Sequence, residues 1–469
     1  MISLLLKWRA QAVLLLVAAL APYDGLLIIA PLPGVVGLWK EALVFGAAGL
    51  AWYQRRGAPS WREEPRQIPL WAGASIVLTG LAVFSALTVA SSQALFGFKI
   101  GYFYLLIPLA LWWTPMTSDD RDRLVSVLMA NGVITSVVGL VQQILGGDRL
   151  HALGYEWNET IRYSGGLLRS FSTFNQPFPF GYFLAIVLLV AVPVALGERS
   201  RRRNRWFLLA SPLLVIAVAT TVVRGAILAL VVGAAYLAVQ RPALRRVVVS
   251  LPLLVGLAFF VDVSSYLSLD SLADRLSGWG IEVVQSGVEP LGRGIGSTGA
   301  AAERYHAAVG LSAYPDRPLG DRYQPDNHYV KMLVELGPLG LWLFVTMLVG
   351  AVRSSTRRRD ACRREAALAS DAATAQRAQR DADLAVGVTA STIGAMAAAV
   401  VATYWEIFPA DLYFWILIGA VSCTSRSTVP PGPTTERASP ASSSTPSRSA
   451  PAAAACRPMA ASSSATSPR

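Results

Sequence analysis

Cysteine and histidine are scarce in this chain, which has three of each among 469 residues. Cys362, Cys423 and Cys456 are scattered along the sequence, so they predict neither a disulfide framework nor a cysteine-ligated metal site. Three histidines are too few for a His-rich metal cluster. The sequence also has no Walker motif, no kinase motif set and no His-Glu-x-x-His pattern, which argues against an ATP-driven pump and a zinc protease. We therefore expect neither a metal nor another cofactor.

Charged residues are few as well. They make up 15% of the chain, against 54% hydrophobic residues. This is the composition of a membrane protein rather than of a soluble core. The net charge of +12 would suggest nucleic acid in a soluble protein. Here the arginines cluster in short loops, where they hold membrane helices in orientation. The sequence predicts a lipid bilayer as the surroundings and no nucleic acid as a partner.

Apolar segments separated by polar loops recur along the chain. They predict an all-α, polytopic integral membrane protein with about twelve transmembrane helices, in a membrane domain over residues 1–423. The N-terminal apolar run has no cleavage signature and is interpreted as the first span. The predicted spans are 10–22, 35–53, 68–90, 96–114, 123–145, 178–197, 207–222, 225–239, 247–262, 326–352, 383–404 and 410–423.

The polar segments predict the orientation of these spans. Arginine is concentrated in loops such as 54–67, 198–206 and 353–382, so these loops and both termini are expected to be cytoplasmic. Residues 353–382 are interpreted as an exposed helical loop. The longer, less basic loops 146–175 and 263–325 are then outer loops, the second lying between spans nine and ten. The tail, 424–469, is rich in Ser, Pro and Ala and is expected to be disordered.

One polar group leads directly into span ten. Asp326, Asn327 and His328 precede the apolar run, and Lys331 and Glu335 lie in its first turns. In a helix, Asn327, Lys331 and Glu335 share one face. Ionisable residues at the mouth of a membrane helix indicate a functional site. The alternative is a capped helix start with a Lys331–Glu335 pair that reaches the interface.

Isolated cations are predicted at the same membrane surface. Arg169 precedes span six, Arg224 lies in the tip between spans seven and eight, and Lys99 lies near the start of span four. An outer arginine in an apolar tip works against the predicted orientation, so it favours a role in holding an anionic ligand. Pairing of Arg224 with a lipid phosphate is the alternative.

Three other patterns favour structural roles. Residues 292–296 (GRGIG) look like a phosphate loop, but no strand–helix unit surrounds them, and we interpret them as a flexible turn. Residues 118–120 (SDD) are interpreted as a helix cap with acidic residues in its first turn, not as a metal site. The pair Lys40–Glu41 within span two is interpreted as structural, lining a lipid groove.

Three segments together carry a family resemblance. They are residues 169–181 (RSFSTFNQPFPFG), 221–226 (TVVRGA) and 326–340 (DNHYVKMLVELGPLG). In this order they resemble motifs of the O-antigen ligase and O-antigen polymerase family of bacterial envelope glycosyltransferases, over about residues 70–420. Val223 stands where the family usually has Ser, and Asp326 stands where the ligases carry a catalytic His, with His328 two residues later. These departures favour a polymerase or exopolysaccharide branch over the lipopolysaccharide ligase.

The resemblance implies an undecaprenyl-diphosphate-linked oligosaccharide donor and a sugar hydroxyl acceptor at the outer face of the bacterial inner membrane. The transfer is expected to be metal-independent and inverting. Bidentate arginines stabilise a diphosphate leaving group, and either a His or a desolvated carboxylate serves as the base. The expected diphosphate-binding residues are Arg169 and Arg224, with Arg322 and Lys331 as weaker candidates. The expected base is His328 or Asp326, and Asn327 and Glu335 orient these groups.

A transporter is the alternative from another functional class. A twelve-span protein with charges in its spans would also suit a polysaccharide exporter or a flippase for lipid-linked sugars. Transporters of this size usually have two related halves and a site near the bilayer midplane. The sequence has no internal repeat, and its charges cluster at one predicted surface, which favours the transferase.

Overall fold

A computed structural model describes residues 9–30, 34–56, 68–88, 91–241, 289–309 and 326–423, together with 245, 279–280 and 283. The described chain is an all-α membrane protein whose only extended elements are two short strands. Six described helices are long and apolar enough to cross a membrane, or seven if the bent pair Gln93–Gly101 and Phe103–Trp113 forms one span. Predicted span nine and the tail 424–469 lie outside the described residues.

The helices are numbered here in chain order. They are α1 Ala10–Leu20, α2 Trp39–Arg56, α3 Leu70–Thr88, α4 Ser91–Gly101, α5 Leu106–Trp113, α6 Ser118–Ala152, α7 Pro177–Gly197, α8 Arg202–Thr221, α9 Arg224–Gln240, α10 Gly299–Ala308, α11 His328–Leu368, α12 Ala372–Ala398 and α13 Ala410–Ser422. The strands are β1 Tyr163–Ser164 and β2 Leu167–Leu168, and 3-10 turns cover Ala21–Ile28, Gly34–Leu38, Phe103–Leu105 and Tyr404–Glu406.

Two predictions about these elements need correction. Span four is not one straight helix, because α4 and α5 meet at a 45° bend. Residues 353–382 are helical, as predicted, but they are not a freely exposed loop. They continue α11 and begin α12, and Ser355, Cys362 and Asp381 are buried there. Arg358 of α11 approaches Asp381 of α12 at 3.8 Å, so the two extensions pack together.

Helix α7 forms the centre of the bundle. In α7, 83% of the apolar stretch that is long enough to cross a membrane is buried, whereas the corresponding share is 33% in α3 and 33% in α8. A helix that is apolar on every face is expected in such an enclosed position. Small residues bring α12 close to it, since a Cβ at Gly387 would lie 2.8 Å from the Val190 Cα. Close packing of this kind is how membrane helices associate without a hydrophobic driving force.

Ion pairs join the helices at one end of the bundle, called here the Arg-rich end. The buried Arg121 of α6 binds Asp381 of α12, and Arg201 binds Asp122 at 2.8 Å. The predicted cap at the start of α6 is confirmed, although its N-cap is Thr117, which exchanges hydrogen bonds with Asp120. The loops 198–206 and 353–382, both predicted to be cytoplasmic, therefore meet the start of α6 at this end.

Candidate functional site

Several helix ends meet at the opposite end of the bundle, called here the site end. The Ser170 N–H before α7 donates to the Thr220 carbonyl at the end of α8, at 3.0 Å. The His328 N–H at the start of α11 donates to the Ala399 carbonyl after α12, at 2.8 Å. Tyr182 of α7 packs against Tyr404 with ring centroids 4.9 Å apart, which joins the two groups. The three segments that carry the family resemblance therefore lie at one end.

Arg169 and Arg224 occupy one corner of the site end. The Arg169 Nε donates to the Thr221 carbonyl at 3.1 Å, so this guanidinium sits at the C-terminus of α8. Val222 follows with a φ of 55°, and Arg224 then begins α9. Arg169 is half-buried, whereas Arg224 is exposed. The structure thus brings these two predicted phosphate-binding residues together.

Gln142 of α6 positions this corner, and sequence reasoning missed it. Its Oε1 accepts from the Ser172 N–H at 2.7 Å, and its Nε2 donates to the Ser172 carbonyl at 2.8 Å. Gln142 is buried and fixes the backbone that follows Arg169. The sequence signal was a polar amide inside an apolar span, where polar side chains are expensive.

The start of α11 has the predicted cap. The Asn327 Oδ1 accepts from the backbone N–H groups of Tyr329 at 2.9 Å and Val330 at 3.2 Å. Such a cap satisfies donors that the first turn of a helix leaves open. Asp326, one residue earlier, is half-buried and has a φ of 46° in the left-handed region.

His328 is enclosed by aromatic rings. Its ring lies 4.9 Å from that of Phe344 and 5.2 Å from that of Trp405, between centroids, and the residue is 3% exposed. Among the described residues, its Nδ1 has no hydrogen-bond partner. The ring lines a small cavity of about 30 Å³, which Tyr102 and Lys331 also line. The aromatic rings therefore separate His328 from solvent.

Lys331, Glu335 and Glu406 form a buried charge triad. The Lys331 Nζ donates to the Glu335 Oε2 and lies 3.4 Å from the Glu406 Oε1. Their side chains are 4%, 0% and 2% exposed, so the predicted i, i+4 pair exists but does not reach the interface. The remaining carboxylate oxygens accept from the N–H groups of Gly296 at 3.0 Å and Ala300 at 3.3 Å. The Lys331 charge is already compensated, so the arginines are the stronger phosphate candidates.

Glu406 was absent from the predicted site. It follows Trp405 in the short segment between predicted spans eleven and twelve. An isolated carboxylate between apolar spans was the available signal. Its pairing with Lys331 depends on how α12 and α13 are connected in space, which spacing along the chain does not give.

A kink in α11 holds the loop around residues 292–296. Gly337 has a φ of 67°, and Pro338 has no N–H for the Val334 carbonyl. That carbonyl instead accepts from the Arg293 N–H at 2.7 Å, and the Glu335 carbonyl accepts from the Gly294 N–H at 3.1 Å. The predicted turn is present, but the prediction of flexibility is wrong because the turn is bound to α11.

The predicted structural role of Lys40 and Glu41 agrees with the ion pairs that they form, but they do not line the apolar groove of the described chain. Lys40 binds Asp24 at 2.7 Å, and Glu41 binds Lys99 at 3.2 Å. Adjacent residues of a helix do not face each other, so each finds a partner on another segment. An apolar groove of about 590 Å³ does run along α3, α4 and α5, with Lys99 in its lining, but Lys40 and Glu41 are not among its lining residues.

Arg322 and most of the outer loop 263–325 lie outside the described residues. In the described ranges, no three His, Cys, Asp or Glu side chains are grouped to hold a metal ion.

No protein-family model matches the sequence, and no curated protein matches it either.

Proposed function

We propose that this protein is a membrane glycosyltransferase of the O-antigen polymerase or ligase type. It transfers oligosaccharide units from an undecaprenyl-diphosphate-linked donor during O-antigen, exopolysaccharide or capsule synthesis. The proposal includes about twelve spans, cytoplasmic termini, a long outer loop between spans nine and ten, and a site on the outer face of a bacterial inner membrane. The observation that supports it is that Arg169 and Arg224 lie together at the end of α8, and that Asp326, at the start of α11, lies at the same end of the bundle.

The arginine corner suits a diphosphate leaving group. During transfer, the bond between the anomeric carbon and the phosphate oxygen breaks, and negative charge grows on the diphosphate. Arg169 and Arg224 stabilise that charge, since guanidinium groups bind phosphate oxygens in a bidentate manner. Arg169 is held by the Thr221 carbonyl, so its position is set before the donor binds.

Asp326 is better placed than His328 to be the base. The carboxylate is half-buried, whereas the His328 ring is enclosed by Phe344 and Trp405. The acceptor hydroxyl gives its proton to Asp326 and attacks the anomeric carbon from the face opposite the leaving diphosphate, which inverts that carbon. Asn327 fixes the backbone beside Asp326.

The remaining features suit binding and positioning. The charge triad fixes the first turns of α11 against the 292–300 loop and so holds the residues that precede them. The groove along α3, α4 and α5 suits the polyprenyl tail, because its lining is almost wholly apolar. Tyr102 lines both this groove and the cavity beside His328, so the tail lies next to the site.

The test is transfer with purified protein. Extracted lipid-linked oligosaccharide is supplied with EDTA and without nucleotide, and products are sized on a gel. Arg224→Ala is expected to lower the rate by roughly 100-fold, the usual loss when one transition-state donor is removed. Asp326→Asn is expected to be inactive, and His328→Ala is expected to keep measurable activity. Arg357→Ala, an exposed arginine of α11 toward the Arg-rich end, is the matched control and should transfer normally.

The products distinguish the members of the class. A ladder identifies a polymerase, and a single transfer to a separate acceptor identifies a ligase. If Arg224→Ala transfers as fast as the unaltered protein, the assigned role of the arginine corner is refuted.

One observation favours a transporter as the second candidate. The α4–α5 pair is broken and α11 is kinked, and both surround buried charges, as in transporters that bind substrates at interrupted helices. No transfer with any acceptor, together with movement of lipid-linked sugar across liposome membranes, would select this candidate.

A further inference from the structure

Two aromatic side chains are exposed on the segment between α6 and α7. Trp157 is 40% exposed and Tyr163 is 48% exposed. Their planes are inclined by only 21°, and their ring centroids are 6.2 Å apart. At this separation the rings are displaced sideways, so each leaves ring surface uncovered. Together they form an exposed pair of nearly parallel rings, called here the aromatic platform.

The backbone holds the platform in place. The Glu156 carbonyl accepts from the N–H groups of Thr160 at 3.1 Å and Ile161 at 3.0 Å, which closes a tight turn around Trp157. The Gly147 N–H donates to the Tyr163 Oη at 3.0 Å. A Cβ at Gly147 would lie 2.6 Å from the Trp157 ring, so the ring packs directly on this backbone. The rings are therefore ordered before any ligand binds, which lowers the entropic cost of binding.

The platform adjoins the arginine corner. Tyr163 of β1 pairs with Leu168 of β2. One position further along the pair of strands, the Arg169 N–H donates to the Arg162 carbonyl at 2.8 Å. Tyr163 is therefore one position from direct opposition to Arg169, and their side chains leave opposite faces of the hairpin, since successive side chains of a strand alternate. Paired strands are about 5 Å apart, so the platform and the arginine corner lie on the two faces of one hairpin, within the length of a few sugar units.

We propose that the aromatic platform binds a saccharide, the oligosaccharide of the donor or of the growing acceptor. This inference rests on the proposed transferase function and adds the place where its glycan lies. The C–H groups on one face of a pyranose carry partial positive charge and pack on the negative face of an aromatic ring. Exposed polar side chains nearby suit sugar hydroxyls: His151 lies 6.0 Å from the Trp157 ring, between centroids, and Glu156, Asn158 and Glu159 flank Trp157 along the chain.

A bilayer anchor is the competing role for exposed Trp and Tyr, since both are enriched at membrane interfaces. The surroundings favour the saccharide. Glu156 and Glu159 flank Trp157 and are exposed, and their carboxylates accept hydrogen bonds from sugar hydroxyls.

The test measures glycan binding without transfer. Mild acid releases a soluble oligosaccharide from the extracted donor, and this oligosaccharide has neither lipid nor phosphate. The full chain in lipid nanodiscs is titrated with it. Binding is followed by saturation-transfer NMR. Trp157→Ala is expected to weaken binding roughly three- to tenfold, the range of one aromatic contact. Trp157→Phe keeps a ring and is expected to bind nearly as well as the unaltered protein.

Trp206→Ala is the matched control, because Trp206 is 62% exposed and lies in α8 near the Arg-rich end. It should bind the glycan normally. Equal binding by Trp157→Ala and the unaltered protein would overturn the proposal, as would a loss of nanodisc insertion in Trp157→Ala with unchanged glycan binding. The two proposals fail separately: Arg224→Ala should lose most of its transfer activity yet still bind this phosphate-free glycan. Glycan binding without transfer by the unaltered protein would keep the platform and remove the transferase.

Discussion

The charge triad at the start of α11 allows a quantitative test. Lys331→Met removes the cation that Glu335 and Glu406 share, and the methionine side chain fills a similar volume without charge. Both carboxylates are at most 2% exposed, so neither gains water when the ammonium is lost. Removing one partner of a buried ion pair usually costs about 3–5 kcal/mol of unfolding free energy. We expect Lys331→Met to reach this range.

The contacts also predict an order among substitutions. Glu335→Gln should be more destabilising than Glu406→Gln, because Glu335 makes the closer contact with Lys331. Gln retains an oxygen that accepts from the Gly296 N–H at position 335 or from the Ala300 N–H at position 406. The triple variant, which combines Lys331→Met with both Glu→Gln changes, should recover most of the loss, since no buried charge is left unpaired.

The assay is unfolding by SDS titration of the detergent-solubilised protein, followed by the fluorescence of its 13 tryptophans. Unfolding free energies of the single and triple variants are compared. The reasoning is refuted if Lys331→Met lies within about 1 kcal/mol of the unaltered protein, well below the loss expected for a broken buried pair. It is also refuted if the triple variant is no more stable than Lys331→Met.

Three further predictions concern close contacts. Gly225→Ala should lower the rate of transfer and should lower the unfolding free energy by about 1–3 kcal/mol, because its Cβ would lie 2.0 Å from the Tyr182 Oη. Tyr182→Phe removes that oxygen and should restore both the rate and the stability. Gly337→Ala should loosen the loop 289–309, because its φ of 67° strains an L residue; faster amide exchange confined to that loop is the expected readout. Arg121→Met should cost about 1.5–3 kcal/mol in the SDS titration, because it removes the charged hydrogen bonds to Asp381 while Arg358 stays 3.8 Å from that carboxylate. A loss below about 0.5 kcal/mol would contradict the burial seen at the Arg-rich end.

The sequence predicted most of the described helices because length and apolar character define a membrane helix locally. The predicted span 178–197 and the observed α7, Pro177–Gly197, agree closely. The bend between α4 and α5 was missed because residues 96–114 remain apolar across it. The Gly337–Pro338 sequence indicates a kink by itself. The sequence does not show that the turn at Arg293 binds this kink, because the two lie about 40 residues apart along the chain.

The candidate site divides in the same way. By itself the sequence determined the membrane class, the Asn327 cap and the Lys331–Glu335 pair, because these depend on composition and on neighbours within one helical turn. Only the tertiary structure placed Arg169 beside the end of α8, enclosed His328 between Phe344 and Trp405, and brought Glu406 to Lys331. Those contacts join residues from separate helices, and they form because burying a charge or a polar ring in an apolar bundle requires a partner, whichever part of the chain supplies it.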